Sequence, residues 1–199
     1  MAKKVLYSVI GVAALIFVSL LFIGNNLPPQ QTQTVVATQP EPVASTSSAT
    51  LDTKKVEATL VASTDYYSQL FAIGKNTLGS TQYPNATAGL SALQDQNSAA
   101  SKFGAFRTNT CLKNDPSANA MDAYRTVSDM YSSAHVQSPS TLDDWNYDTN
   151  TAASDICAWA SVAINWQISK VSSAQLKAAE QKVTTDLAQV HKDLAQLTQ

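Results

Sequence analysis

The chain has 199 residues, of which 13 are Lys or Arg and 15 are Asp or Glu, and its formal net charge at pH 7 is −2. This balance leaves no basic surplus for binding phosphates, so we expect no nucleic-acid partner. The length allows one domain with a core of its own after the N-terminal segments are set aside.

An apolar run occupies residues 5–23, directly after Lys3 and Lys4. A helix of about 19 residues extends roughly 28 Å, close to the ~30 Å of a hydrocarbon core. The two lysines predict that residues 1–4, a short stub, stay in the cytoplasm. We therefore predict a single-pass membrane protein with an uncleaved transmembrane anchor and an extracytoplasmic C-terminal domain.

The alternative interpretation of this run is a cleaved signal peptide, which would leave a secreted protein. Signal peptides usually have an apolar core of about 7–15 residues with a small-x-small cleavage site close behind. This run is longer, and the nearest such pattern, residues 35–37, lies well beyond it. The anchor is the prediction, and secretion after cleavage stays open.

Residues 24–51 are rich in Pro, Gln, Ser and Thr, and Glu41 is their only charged residue. Such a composition buries too little apolar surface to offset the entropy lost on ordering. The segment is therefore predicted to be a disordered linker that tethers the domain of residues 52–199.

The first helix of that domain is predicted to begin at Asp52, whose carboxylate can accept hydrogen bonds from the first turn. It is expected to end near Gly74 or Gly79. A second helix is predicted from about residue 84 to 106. The residues expected to face inward are Val56, Leu60, Tyr67 and Leu70 in the first helix and Leu90, Leu93, Ala100 and Phe103 in the second.

A third helix is predicted to start at Asp115, with Pro116 in its first turn, where a missing N–H is tolerated. A fourth follows residues 138–140, and the last begins near Ser172, which forms a capping-box pattern with Gln175. The stripes expected to face inward are Met121, Tyr124, Val127 and Tyr131; Ile156, Trp159, Ala163 and Trp166; and Leu176, Val183, Leu187, Val190, Leu194 and Leu197. Together these patterns predict an all-α domain, an antiparallel bundle of about four to five helices whose first and last members are neighbours.

Cys111 and Cys157 are the only cysteines. An even count in an oxidising compartment favours one disulfide between them. Two buried free thiols are the alternative.

Between residues 144 and 150, near the start of the predicted fourth helix, every second residue has an oxygen-bearing side chain. Ligands at every second position are typical of a loop that wraps Ca²⁺, although the glycine of such a loop is replaced by Thr149. Acidic residues are also favoured in the first turn of a helix, and we prefer that interpretation. We thus predict no metal site and keep as weak candidates Asp144, Asn146, Asp148, Asn150 and Asp155.

Trp145 and Tyr147 stand among polar neighbours and are the candidates for a surface contact. Trp159 and Trp166, seven positions apart on one helical face, are expected in the core.

The sequence contains no G-x-S-x-G, S-x-x-K, phosphate-loop or dinucleotide-binding pattern, so we predict neither an enzyme nor a cofactor. The leading hypothesis is a membrane-anchored extracytoplasmic helical binding or scaffolding module of the cell envelope. Its expected partners are the membrane, through residues 5–23, and an envelope protein or a second copy, through its helices. The alternative is an extracytoplasmic hydrolase or calcium-dependent domain that uses residues 143–155.

Overall fold

The computed structural model describes residues 50–80 and 82–199, which form six α-helices and one π-helical turn and contain no strand. The elements are α1 (Thr53–Leu78), α2 (Ala86–Gln94), α3 (Ala99–Arg107), the π turn (Thr108–Lys113), α4 (Ser117–Ser133), α5 (Ser140–Gln167) and α6 (Ser173–Leu197). The predicted all-α class is confirmed for this part of the chain. The predicted anchor and all of the predicted linker except residues 50 and 51 lie outside it. Among the described helices, none has both the length and the apolar character that crossing a membrane requires.

Side-chain contacts reveal the directions of the long helices. At the start of α5, the Trp145 indole Nε1 donates to Thr64 Oγ1 of α1 at 3.0 Å. At its end, Gln167 Nε2 donates to the carbonyl oxygen of Leu78, also at 3.0 Å. The residue numbers rise together, so α1 and α5 run parallel. In contrast, α6 runs antiparallel to both, since it follows α5 after a short turn and its His191 contacts Ser68 of α1.

The fourth side of the bundle is a column built from α3, the π turn and α4, placed end to end. Arg107 Nε in α3 donates to Ser161 Oγ of α5 at 3.2 Å, and Tyr124 Oη in α4 donates to Asp143 Oδ1 at 2.7 Å. Along this column the residue numbers increase from Arg107 to Tyr124, whereas those of the partners on α5 decrease from Ser161 to Asp143. It is therefore antiparallel to α5, and α2 packs on α3 at one end of the bundle.

The single helix predicted for residues 84–106 is wrong, because the chain breaks between α2 and α3. The Asp95 carboxylate accepts from the Asn97 N–H at 3.0 Å, and Ser98 Oγ accepts from the Ser101 N–H at 3.0 Å to begin a new helix. Short polar side chains compete with helical hydrogen bonds in this way. The break turns Leu90 outward, to 49% exposure, whereas Phe103 is buried as predicted.

The inward face of α4 is also shifted from the predicted one. Ala120, Ala123 and Val127 are buried, whereas Met121 is exposed. The first turn of α4 is fixed from outside the helix, because the buried Tyr67 hydroxyl accepts from the Ala120 N–H at 3.0 Å and donates to the Pro116 carbonyl. Burial raises the pKa of this hydroxyl and keeps it neutral.

The predicted beginnings of the first and last helices are confirmed. Asp52 Oδ1 accepts from the Lys55 N–H at 3.1 Å, and Ser172 and Gln175 form the capping box. The α6 stripe is buried at Val183 and Leu187, and Trp159 and Trp166 lie in the core.

Two helical glycines near the α2–α3 end provide a test of this packing. A Cβ at Gly89 would lie 2.6 Å from the Cα atom of Ile168, whereas a Cβ at Gly104 would meet its nearest neighbour, Leu93 Cδ2, at 3.6 Å. Gly89→Ala should lower the free energy of unfolding by about 1–3 kcal/mol, because backbone atoms must move. Gly104→Ala should raise it by up to about 1 kcal/mol through helix propensity. Urea denaturation measures both, and equal effects would contradict the close approach of α2 to Ile168.

Candidate functional site

The candidate calcium ligands lie on one continuous helix, since α5 runs from Ser140 to Gln167 without a break. Consecutive helical residues are separated by about 100°, so alternate positions point to nearly opposite sides. The weak candidates Asp144, Asn146, Asp148 and Asn150 therefore cannot wrap one ion as a loop would. The segment is helical from Ser140 onward, and its first turn contains Asp143 rather than any of the candidates.

Trp145 is not a surface residue, which corrects the prediction made for it. Its side chain is fully buried, and its indole N–H is satisfied by Thr64. In the helix, Trp145 shares a face with the buried residues Leu142, Thr149 and Ala152 rather than with its polar neighbours in the chain. The spacing of three and four between these residues was the signal that sequence reasoning missed.

Tyr147 is 72% exposed, the most exposed of the large hydrophobic side chains in the described part of the chain. It borders a shallow cleft of about 400 Å³, the α5 cleft, which is lined by Tyr147, Asn150, Thr151, Ser154, Asp155 and Lys182. The cleft gathers three of the predicted site residues and adds a cation from α6. A contact role for Tyr147 stays a prediction.

Four carboxyl groups meet along the line where α5 packs against α6. Asp148 and Asp155 belong to α5, Asp186 and Asp193 belong to α6, and we call this group the acidic seam. Asp148 faces Asp193, and Asp155 faces Asp186, across this interface. Sequence reasoning selected the two α5 members for another reason and missed the α6 members. The sequence did contain a signal for the α6 members, because Asp186 and Asp193 are separated by one heptad on the helix that buries Val183 and Leu187.

The carboxyl groups of the seam differ in their affinity for protons. Burial and the hydrogen bond to Asp155 raise the pKa of Asp186 to about 6. Burial and the hydrogen bond to Asp148 likewise raise the pKa of Asp193 to about 6. Burial opposes ionisation of Asp155 too, but hydrogen bonds from Asp186 and Lys182 hold its pKa below its ordinary value.

Across residues 50–80 and 82–199, no group of three or more His, Cys, Asp or Glu side chains is arranged to hold a metal ion.

The predicted disulfide is present between Cys111 and Cys157, whose Cα atoms lie 5.6 Å apart. It ties the π turn to the middle of α5, at the joint where α3 and α4 meet. Both cysteines line a second open cleft with Asp115, Asn150 and Ser154.

Comparison with protein families, curated proteins and solved structures finds no match to this chain.

The disulfide should stabilise the domain by restricting the unfolded chain, since it links positions 46 apart. We expect the double variant Cys111→Ala/Cys157→Ala to lose about 2–4 kcal/mol of unfolding free energy in urea denaturation. Ser154→Ala, in the same cleft, is the control and should change stability by less than ~0.5 kcal/mol. Two reactive thiols in the unfolded, unreduced protein would disprove the bond.

The buried hydrogen bond of Trp145 gives a second test. Thr64→Val keeps the side-chain shape but leaves the indole N–H without an acceptor, which should cost about 1–3 kcal/mol. Thr77→Val is the matched control in α1, because the Thr77 hydroxyl bonds only the Ile73 carbonyl of its own helix. If the two variants lose equal unfolding free energy in urea denaturation, the hydrogen bond from Trp145 contributes nothing to stability.

Proposed function

We propose that this chain is a membrane-anchored extracytoplasmic module that binds a protein of the cell envelope through the outer face of α5 around Tyr147. The observation that carries the proposal is the 72% exposure of Tyr147 beside the α5 cleft. A tyrosine presents a large apolar ring and a hydroxyl while losing few rotamers on binding, and tyrosines are enriched at protein interfaces.

The helix beneath this surface supports the proposal. The inner face of α5 contributes Trp145, Ile156 and Trp159 to the core, and the disulfide at Cys157 ties the helix to the π turn. A side chain on so well packed a helix is already positioned, so a partner pays little ordering entropy. The ion pair between Lys182 and Asp155 at the edge of the cleft adds a dipole that can orient a polar partner.

The extracytoplasmic location is supported by the apolar run at residues 5–23 and by the disulfide, which is typical of an oxidising compartment. The surroundings of residues 143–155 favour binding over hydrolysis. Trp145 is buried and Asp148 pairs with Asp193, while His191 contacts Ser68 on the α1 side of α6. These groups do not converge on the α5 cleft as a hydrolytic site would require.

Site-specific photocrosslinking in the native membrane tests the proposal with the full-length chain. A photoreactive side chain at position 147 should give one discrete adduct with another protein. The control is the same side chain at position 73 of α1, where Ile73 is 54% exposed. We expect no corresponding adduct from position 73.

A photoreactive side chain at position 154 should also give an adduct while Tyr147 is intact. Adding Tyr147→Ser to that variant should remove most of this adduct. An adduct at twice the mass of the chain would show that the partner is a second copy of the chain rather than another protein of the envelope. No adduct from position 147, or identical adducts from positions 147 and 73, would contradict this surface.

A further inference from the structure

The acidic seam places carboxyl groups against each other at two levels of the α5–α6 interface. The antiparallel helices bring Asp148 opposite Asp193 and, one heptad away on each helix, Asp155 opposite Asp186. Leucine or valine at such flanking positions would pack without charge. Two carboxylates face to face repel each other unless something between them supplies a hydrogen-bond donor.

Each pair contains a buried oxygen for which the protein supplies no donor. Asp193 is only 4% exposed; its Oδ1 accepts from Gln189 Nε2 at 2.8 Å, but its Oδ2 has no partner. Asp186 Oδ2 also has none, and Lys182 Nζ lies 3.9 Å from it, too far for a hydrogen bond. A carboxyl proton shared within each pair would satisfy both oxygens and remove the repulsion.

We propose that the acidic seam is a pH-sensitive switch in which each carboxyl pair binds one proton when α6 is tightly packed on α5, and loss of these protons loosens α6.

The charges around the two pairs are unequal. Asp193 faces Asp148 and Asp144 of α5. Asp186 faces Asp155 and Asp148 of α5, and Lys182 from its own helix pairs with Asp155. The α1 helix packs on the other flank of α6, where His191 contacts Ser68. The Asp148–Asp193 pair is therefore the more sensitive of the two.

The direction of the effect follows from linkage. The pKa of Asp186 and of Asp193 rises from 3.8 to about 6 on folding, so the folded state holds protons that the unfolded state has released between these values. Their stabilisation is complete below about pH 4, is lost as pH rises through ~6, and stays absent above it. Asp155, with its lowered pKa, acts in the opposite sense and weakens the domain only as pH falls below its ordinary value.

Thermal unfolding of the full-length chain in detergent micelles tests the switch, with Asp186→Asn/Asp193→Asn as the neutral mimic of the protonated seam. Between about pH 4.5 and pH 7.5 the Tm of the natural chain should fall by about 5–10 °C relative to that of the variant. Asp65→Asn, an exposed carboxyl on α1, is the control and should follow the natural chain. Amide hydrogen exchange in α6, corrected for intrinsic rates, should accelerate at the higher pH only where the seam is intact.

A second variant keeps the test decisive if the double variant folds poorly. Asp148→Asn removes the repulsion from the α5 side and should raise the Tm at pH 7.5 by itself. Parallel pH dependence of all the chains would overturn the switch. So would a rise in the Tm of the natural chain with millimolar Ca²⁺ or Mg²⁺ at pH 7.5 that the variants lack, because the seam would then be a cation site.

Discussion

Trp159 of α5 determines the spacing of the core at the end where α1, α3 and α5 meet. Its indole lies edge to face against Phe71 of α1, with ring centroids 4.9 Å apart, and against Phe103 of α3, with centroids 5.5 Å apart. The space for it comes from Gly74, where a Cβ would lie 2.7 Å from the indole. The buried Trp159 Nε1 has no hydrogen-bond partner, a cost of about 1–3 kcal/mol. Burying roughly 200 Å² of ring at about 25 cal/mol per Å² returns ~5 kcal/mol, so packing outweighs that cost.

The same helix that fills the core also carries the candidate contact surface. Trp145 and Tyr147 stand two positions apart, about 200° around α5, so one is fully buried and the other is the most exposed of the large hydrophobic side chains described. The disulfide at Cys157 adds a covalent tie to the π turn near this surface. Because the core and the disulfide hold α5, the exposed ring is positioned by the fold rather than by a flexible loop.

The acidic seam has a different relation to stability. Burying carboxyl groups at a helix interface costs free energy unless they are neutralised or hydrogen-bonded. The α6 helix also buries Val183, Leu187 and Val190 in the core. In the proposed switch, titration of Asp186 and Asp193 acts against this apolar packing, which does not depend on pH.

The sequence by itself determined the features that depend on neighbours within about one or two helical turns. The caps at Asp52 and Ser172, the stripe through Leu60 and Tyr67, and the all-α class follow from spacing, capping and propensity, which are local. The disulfide followed from there being only two cysteines, in a domain that the apolar run at residues 5–23 predicts to lie outside the cytoplasm.

Only the tertiary structure decided the features that depend on which helix lies opposite. The burial of Trp145 requires Thr64 of α1 as its acceptor, and the pairing of Asp148 with Asp193 requires the antiparallel register of α5 and α6. Residues distant in the chain make these contacts, and the polarity of adjacent residues carries no information about them. The outward turn of Leu90 has the same cause, because side-chain caps around Ser98 and the close approach of α2 to Ile168 together outweighed the helical pattern.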